Sequence, residues 1–534
     1  MSDGRPTVGE ALIGILEAYG VEFVFGIPGV HTVELYRGLA RSPIRHITPR
    51  HEQGAAFMAD GYARVSGKPG ICLLITGPGL TNALTAMAQA RADSVPMLVV
   101  TGANRRSSLG HGRGALHELP DQRAVTSTIT RFSHTLLDPN DLADVMARTF
   151  AVFASGRPGP VHIEIPIDVM AERIERPAPR PIRNRAPRAD AASVGELAEL
   201  CRNAEKPVII AGGGARFYDM AVRGLAERLD APVVTTVNGR GLLARHPLEV
   251  PASPSLAPVR DLLAGSDLVL ALGTEMGPTD FDMYGDGGFP ALSGLVRIDI
   301  DADQLARGPA ALLSILSSVG NALTDLLAAL PAEPGNRDGA ARAKAVRHAA
   351  HENLSEQYRR AVSIIGTIRE ALPDAIMVGD STQLVYAGNL YCEIGRPGGW
   401  FNAATGYGAL GYAPPAAIGA ALAAPGRPVV AIVGDGGIQF SLAELGSAID
   451  AGAPVIFLVW NNDGYREIET YMESVGVEPV GVRPSAPDFV SVARAYGMAA
   501  ERLVRLDDLG AVLKRVYESR RPALIELSGH AVHG

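Results

Sequence analysis

Residues Val429 to Tyr465 read VVAIVGDGGIQFSLAELGSAIDAGAPVIFLVWNNDGY, and this stretch decides the fold class. Val429 to Val433 is an apolar, β-branched run of the kind found in strands buried on both faces. It stops at Gly434-Asp435-Gly436-Gly437, where glycines permit a sharp turn and close approach by a ligand. Ser441 with Glu444 three residues on predicts a capping box opening a helix, and Gly452 marks its end. Val455 to Trp460 is a second apolar run, ending at Asn461-Asn462-Asp463-Gly464. Strand, helix and strand make one βαβ unit, and such crossovers are almost always right-handed. Asp435 and Asn462 then stand at the carboxyl ends of parallel strands, where open α/β sheets hold ligands. Asp435 offers a carboxylate, Asn462 an amide carbonyl and Gly464 a backbone carbonyl. One carboxylate with neutral oxygens suits Mg²⁺, which keeps positions for water and phosphate oxygens. The amides of Gly436 and Gly437, near a helix start, are placed to receive those phosphates.

The 534 residues are enough for roughly three domains. Hydrophobic residues at 47% and charged residues at 20% indicate a globular protein with large cores, and aromatics at 5% make those cores aliphatic. The formal net charge is −8 and no basic block is present, which argues against nucleic acid as a partner. Cys72, Cys201 and Cys392 lie far apart, which speaks against a zinc cluster or disulfide framework and fits a reducing cytoplasm. The opening MSDGRPTVGE lacks an apolar signal core, and no apolar run approaches the roughly 20 residues of a membrane span. A soluble, cytoplasmic protein with no membrane partner is expected.

Taken in order, residues 1–170 form a first α/β unit. Its strands are expected near 21–25, 44–48, 70–76, 97–102 and 161–165, with a helix from His51 through Arg64 and another starting around Thr81-Asn82. Residues 171–190 are Pro-rich and charged and mark a boundary. A second unit spans 191–332, with strands near 208–211, 233–236, 268–272 and 295–300. A second charged stretch, 332–354, leads into a third unit over 355–534. The fold class is therefore α/β with three doubly wound parallel sheets, and the similar sizes suggest an old duplication. Gly212-Gly213-Gly214 follows a strand, but Phe217 stands where a dinucleotide fingerprint needs its third glycine.

GDG followed by NN at this spacing resembles the cofactor signature of thiamine diphosphate enzymes, in the branch of acetolactate synthases, pyruvate decarboxylases and benzoylformate decarboxylases. The resemblance implies a pyrimidine-binding first unit, a central unit and a diphosphate-binding third unit. It implies that Asp435, Asn462 and the Gly464 carbonyl hold Mg²⁺, which grips the diphosphate of thiamine diphosphate. The family carries an HE-x-x-A-x-x-x-A-x-G-Y-A-R pattern, matched here by His51, Glu52, Ala55, Ala59, Gly61, Tyr62, Ala63 and Arg64. Glu52 would then hydrogen-bond the pyrimidine N1′ and promote removal of the thiazolium proton. In Gly406-Tyr407-Gly408-Ala409-Leu410-Gly411, the resemblance gives Gly408 a carbonyl for the pyrimidine amino group and makes Leu410 the wedge that bends the cofactor. Ser381 and Thr382 would contact the diphosphate. Some relatives carry FAD in the central unit; the glycine pattern does not favour it here. The cofactor of this family lies between the first unit of one subunit and the third of another, which implies a homodimer or a homotetramer.

The implied substrate is a small-molecule 2-oxo acid, and loss of CO2 is followed by protonation to an aldehyde or by attack on a second carbonyl. Ala115-Leu116-His117-Glu118 departs from the A-F-Q-E of acetolactate synthases, and Val30 stands where pyruvate decarboxylases carry an Asp. His31 and His117 are candidate proton donors. The stretches GIPGVHTVELYRGLA (26–40), RHEQGAAFMADGYARVSGKPG (50–70) and LHELPDQRA (116–124) resemble 5-guanidino-2-oxopentanoate decarboxylases. The product would be 4-guanidinobutanal. A guanidinium asks for a carboxylate in a two-pronged contact; Glu467 is the first candidate, and Asp280 and Asp282 are the second. The alternative is an acetolactate synthase-like carboligase.

Overall fold

The computed structural model describes residues 4–175, 181, 184–281 and 288–532. Its strands make three six-stranded parallel sheets. The first holds β1 (Phe23–Phe25), β2 (Arg45–Ile47), β3 (Gly70–Leu74), β4 (Met97–Ala103), β5 (Ser133–Thr135) and β6 (Pro160–Pro166), in the order β2-β1-β3-β4-β6-β5. The second holds β7 (Pro207–Ala211), β8 (Val233–Thr235), β9 (Glu249–Val250), β10 (Leu268–Leu272), β11 (Leu295–Asp299) and β12 (Leu313–Leu316), in the order β12-β11-β10-β7-β8-β9. The third holds β13 (Ile376–Gly379), β14 (Trp400–Asn402), β15 (Val429–Gly434), β16 (Val455–Asn461), β17 (Ala499–Arg505) and β18 (Ala523–Val532), in the order β14-β13-β15-β16-β18-β17.

The expected class is the observed one. The first and third sheets share one topology, whereas the middle sheet has a different strand order. In the first and third sheets the strand order reverses between the first and third strands, and ligand crevices open at such points. The inner strands β3, β4 and β15 are buried along their whole length, as sheets covered on both faces require.

The first and third units share one core. The Glu52–Ser66 helix lies against the Ala413–Ala423 helix, and Ala55, Ala59, Ala63, Ala416, Ala417 and Ala420 pack in a single cluster. A Cβ on Gly61 would stand 1.9 Å from the Ala416 carbonyl oxygen, and one on Gly419 would stand 1.9 Å from that of Met58. Glycine at both positions is what lets the helices touch backbone to backbone.

Several local expectations are corrected. The Gly434–Gly437 turn is the start of a one-turn helix, Asp435–Ile438. The next helix is Glu444–Ala451, with no side-chain cap, so Ser441 and Glu444 form no capping box. Glu444 is instead drawn across to the first unit, where its carboxylate accepts the N–H groups of Arg50 and His51. The helix expected from Thr81-Asn82 starts earlier, at Pro78, because Pro sits well in a first turn after Gly77. The charged 332–354 stretch contains a helix, Gly339–Glu352, whose Ala343 and Ala350 are buried against the middle unit. Asp230 fixes its start by accepting from the Gly339 N–H at 3.0 Å. The 171–190 boundary falls partly outside the described residues. Among the described residues, no helix is long and apolar enough to cross a membrane. Cys72, Cys201 and Cys392 are free and buried.

Gly61→Ala should force the two helices apart, at a cost of about 1–3 kcal/mol. Its thermal unfolding midpoint is expected below that of the unaltered protein, and an unchanged midpoint would contradict the backbone contact.

Candidate functional site

The third sheet gathers one group of candidates at its carboxyl end. Gly434 of β15 pairs with Trp460 of β16, which sets Asp435 beside Asn461-Asn462. Asp435 is buried, and its carboxylate accepts the Gly464 N–H at 2.7 Å and the Asn462 N–H at 3.4 Å. Burial raises its pKa from the ordinary aspartate value, and the two N–H groups offset part of that rise. The Asn462 amide can meet this group in two ways. With its NH2 inward it donates to the Gly464 carbonyl at 3.3 Å and to Asp435 Oδ1 at 3.2 Å. With its oxygen inward, three acceptor oxygens face one another with no hydrogen among them. Turning the amide relieves that set, and so would a cation held among the three oxygens.

The surrounding backbone leaves little room. A Cβ on Gly464 would stand 2.4 Å from the Val482 carbonyl oxygen, and one on Gly436 would stand 2.5 Å from the Tyr465 ring. The N–H groups of Gly436 and Gly437 belong to the first turn of a helix, where they have no acceptor within the helix. Thr382 lies across the crevice, its hydroxyl 2.8 Å from where a Gly434 Cβ would be. Ser381 donates through Oγ to the Gly408 carbonyl at 3.5 Å. Buried Asp380 accepts from Ser381, Gly411 and Ala413 N–H groups at 2.9, 3.3 and 3.0 Å, and burial pushes its pKa up to about 6. Gly408 has φ +74°, a conformation that suits glycine, and Leu410 is half-buried.

The first sheet gathers the other group. Glu52 is the first residue of its helix, and its Oε2 accepts from Asn82 Nδ2 at 2.9 Å. A Cβ on Gly79 would lie 3.7 Å from Glu52 Oε1. His31 and His117 stand edge to face with ring centroids 5.5 Å apart. Burial, and then the neighbouring His117, hold the His31 pKa below its usual value, and among the described residues its buried Nδ1 has no partner. His117 adopts φ +60°, and its carbonyl oxygen lies 2.5 Å from where a Gly77 Cβ would be. Strain of this kind persists only where the surroundings enforce it, often beside a ligand.

Among the described residues, no hydrogen bond joins Glu52, Asn82, His31 or His117 to Asp435, Asn462, Gly464 or Gly408.

Residues 6–125, 194–326 and 380–527 match, in turn, the N-terminal, central and C-terminal domains of the thiamine pyrophosphate enzymes. The chain belongs to the thiamine pyrophosphate enzyme family. It is 46% identical over 532 residues to the probable 2-ketoarginine decarboxylase AruI of Pseudomonas aeruginosa, covering 98% of this chain and 94% of that protein. It is 33% identical to an acetolactate synthase of Mycobacterium bovis, covering 95% of this chain and 85% of that protein. It is 30% identical to the isozyme 1 large subunit of acetolactate synthase from Escherichia coli, covering 98% and 94%.

In this thiamine pyrophosphate enzyme, Glu467 is half-buried and already oriented. Gln383 Nε2 donates to its Oε1 at 2.9 Å, and the Tyr358 hydroxyl donates to its Oε2 at 3.4 Å. Asp280 takes the Val237 N–H and lies beside the Arg240 guanidinium, and burial pushes its pKa up to about 6. Asp282 lies outside the described residues. Sequence reasoning missed Asn82, Asp380 and Gln122. Buried Gln122 accepts the Gly77 N–H at 2.8 Å and donates to Thr101, Gly102 and Glu164, so it fixes the turn beneath His117. No local spacing announces it, since its partners lie on β4, β6 and the turn after β3.

His162 on β6 is buried among Thr101, Thr126 and Ser133, and burial pushes its pKa down to about 3. The folded protein therefore keeps it neutral while the unfolded chain takes up a proton below about pH 6.5. Its contribution to stability is present above that pH and fades as pH falls. Between pH 6 and 5, His162→Gln should lower the loss of unfolding free energy by about 1.4 kcal/mol per pH unit; an unaltered slope in urea titrations would refute this.

Proposed function

We propose that this chain is a thiamine diphosphate- and Mg²⁺-dependent decarboxylase that converts 5-guanidino-2-oxopentanoate into 4-guanidinobutanal and CO2. The observation that carries the reading is 46% identity along 98% of the chain to a protein named as a probable 2-ketoarginine decarboxylase, 2-ketoarginine being another name for 5-guanidino-2-oxopentanoate. The oriented Glu467 carboxylate, three residues past Gly464, supports it.

The donor set at the end of the third sheet fits a hydrated Mg²⁺. Asp435, the Asn462 amide oxygen and the Gly464 carbonyl would hold the ion, and Asn462 would turn its oxygen inward to do so. The N–H groups of Gly436 and Gly437 and the hydroxyls of Ser381 and Thr382 would hold the diphosphate. Glu52, kept in place by Asn82, would bind the pyrimidine ring; the Gly408 carbonyl would accept from its amino group, and Leu410 would support the bend between its rings. When bound, thiamine diphosphate would supply a nucleophilic carbon and an electron sink for decarboxylation of the 2-oxo acid. His31 and His117 would deliver the proton that ends the reaction as an aldehyde. Glu467 would receive the guanidinium on its two oxygens. Flavin is possible but not favoured in this reading, because Phe217 stands where a dinucleotide fingerprint needs its third glycine.

The domains are 1–170, 191–332 and 355–534, and the working form is a cytoplasmic homodimer or homotetramer. Exposed apolar side chains support the assembly. Val30, Val33 and Leu116 flank the histidine pair, and Phe440, Ile468 and Tyr471 flank the cation loop, all more than half exposed in the single chain. A second chain would cover them and join the two halves of the site.

The second reading, an acetolactate synthase-like carboligase, draws on the 33% and 30% identities. A panel of 2-oxo acids, assayed for CO2 release with thiamine diphosphate and Mg²⁺, decides between them. The guanidino acid should give the highest kcat/KM, and pyruvate alone should give no acetolactate; acetolactate from pyruvate would favour the second reading. Glu467→Gln should lose about 10- to 100-fold in kcat/KM with the guanidino acid, as a lost charged contact implies. Equal loss on an uncharged 2-oxo acid would remove Glu467 from that role.

A further inference from the structure

The loop from Thr405 to Tyr412 carries Gly408 and Leu410. Its own unit holds one side, through Asp380 on the N–H groups of Gly411 and Ala413. The other side is held by the first unit, at three points along eight residues. At the start, the Thr405 hydroxyl donates to the Asp93 carboxylate at 2.8 and 2.9 Å. In the middle, the Ala409 N–H donates to buried Gln89 at 3.3 Å. At the end, the Tyr412 hydroxyl donates to Asp60 Oδ1 at 2.5 Å.

These anchors are themselves one network. Arg64, with its side chain only 2% exposed, donates through Nε to Asp60 at 2.6 Å and through Nη2 to Asp93 at 2.7 Å. Its guanidinium also lies over the rings of Phe401 and Tyr412, at 5.5 and 5.8 Å. Gln89 Nε2 donates to Asp93 at 2.8 Å. The middle unit adds Asn238, which donates to Asp93 at 3.2 Å and accepts from Arg64 at 3.3 Å. A buried guanidinium shared between two carboxylates has one favoured arrangement, because losing either contact strands a charge.

We propose that Asp60, Arg64 and Asp93 are positioning residues that hold the Thr405–Tyr412 loop of their own chain ready for thiamine diphosphate. The proposal rests on the reading that this loop receives the pyrimidine. A free eight-residue loop would lose its backbone entropy when the cofactor bound. Anchoring at both ends removes that loss from the binding step, so affinity rises without any new contact to the ligand. The Gly408 carbonyl and the Leu410 side chain are the groups so placed; the anchors touch neither.

The test uses Thr405→Val and Tyr412→Phe, which remove one hydroxyl each and leave the buried ion pairs intact. Full-length protein stripped of cofactor is titrated with thiamine diphosphate in Mg²⁺ buffer and followed by intrinsic fluorescence. Each variant should raise the dissociation constant about tenfold, as a lost hydrogen bond to a charged group implies. The KM for the 2-oxo acid should stay within about twofold, since neither hydroxyl touches substrate in this account. Thr405→Ser should restore wild-type affinity. The thermal midpoint of the stripped protein should fall only slightly, while the upward shift on adding cofactor shrinks markedly. Wild-type affinity in both variants would overturn the proposal, as would a fall in stripped-protein stability that matches the loss of affinity. If the unaltered protein failed to bind thiamine diphosphate, the functional reading itself would fall instead.

Discussion

The backbone contact between the Glu52–Ser66 and Ala413–Ala423 helices governs the placement of nearly every candidate residue. Gly61 and Gly419 let the helices meet without intervening side chains, and small Ala residues fill the remaining contact. The first helix presents Glu52 at its start and Asp60 and Arg64 in its later turns. The second begins where the Gly408 loop ends. One rigid pair therefore fixes both the carboxylate and the loop. Glu444 strengthens the arrangement from the third unit by accepting N–H groups just before the first helix starts. Its burial raises its pKa, and the Arg50 and His51 N–H groups and the Ser447 hydroxyl offset part of that cost.

The same strand order in the first and third sheets places two crevices, one at each switch point. One crevice offers Glu52, Asn82 and a strained histidine turn. The other offers a buried carboxylate, neutral oxygens and N–H groups suited to a cation with a phosphate. Each half lacks what the other supplies. The exposed apolar residues beside both halves give a physical reason for two chains to bring them together, since their burial would contribute roughly 25 cal/mol per Å².

Much of the fold was legible because buried parallel strands are written as apolar runs. β10 (LVLAL) and β15 (VVAIVG) were evident on that ground. The strands β5 (SHT), β9 (EV) and β14 (WFN) are too short to show a period, and β17 (AAERLVR) is largely exposed and carries three charged residues. That Asp435, Asn462 and Gly464 come together was legible because they follow two adjacent strand ends at a fixed spacing. The roles given to Glu52, Gly408 and Leu410 came from family resemblance, since a helix-start Glu and a Gly-rich turn have no distinctive local chemistry. Glu444 misled, because a capping pattern is local whereas its actual partners lie 393 and 394 residues away. Asp93 and Gln122 were hidden for the same reason: their function is to satisfy groups on distant elements.

The central claim is that Glu52 of one chain completes a site with Asp435 of another. Subunit complementation tests it most directly. Glu52→Gln and Asp435→Asn proteins, each inactive alone, are dissociated, mixed and reassembled, with hybrid formation verified by mass. Hybrids should regain activity, because pairing the two variants rebuilds one site with both residues intact. Verified hybrids without activity would show that both residues must come from the same chain, contrary to this account.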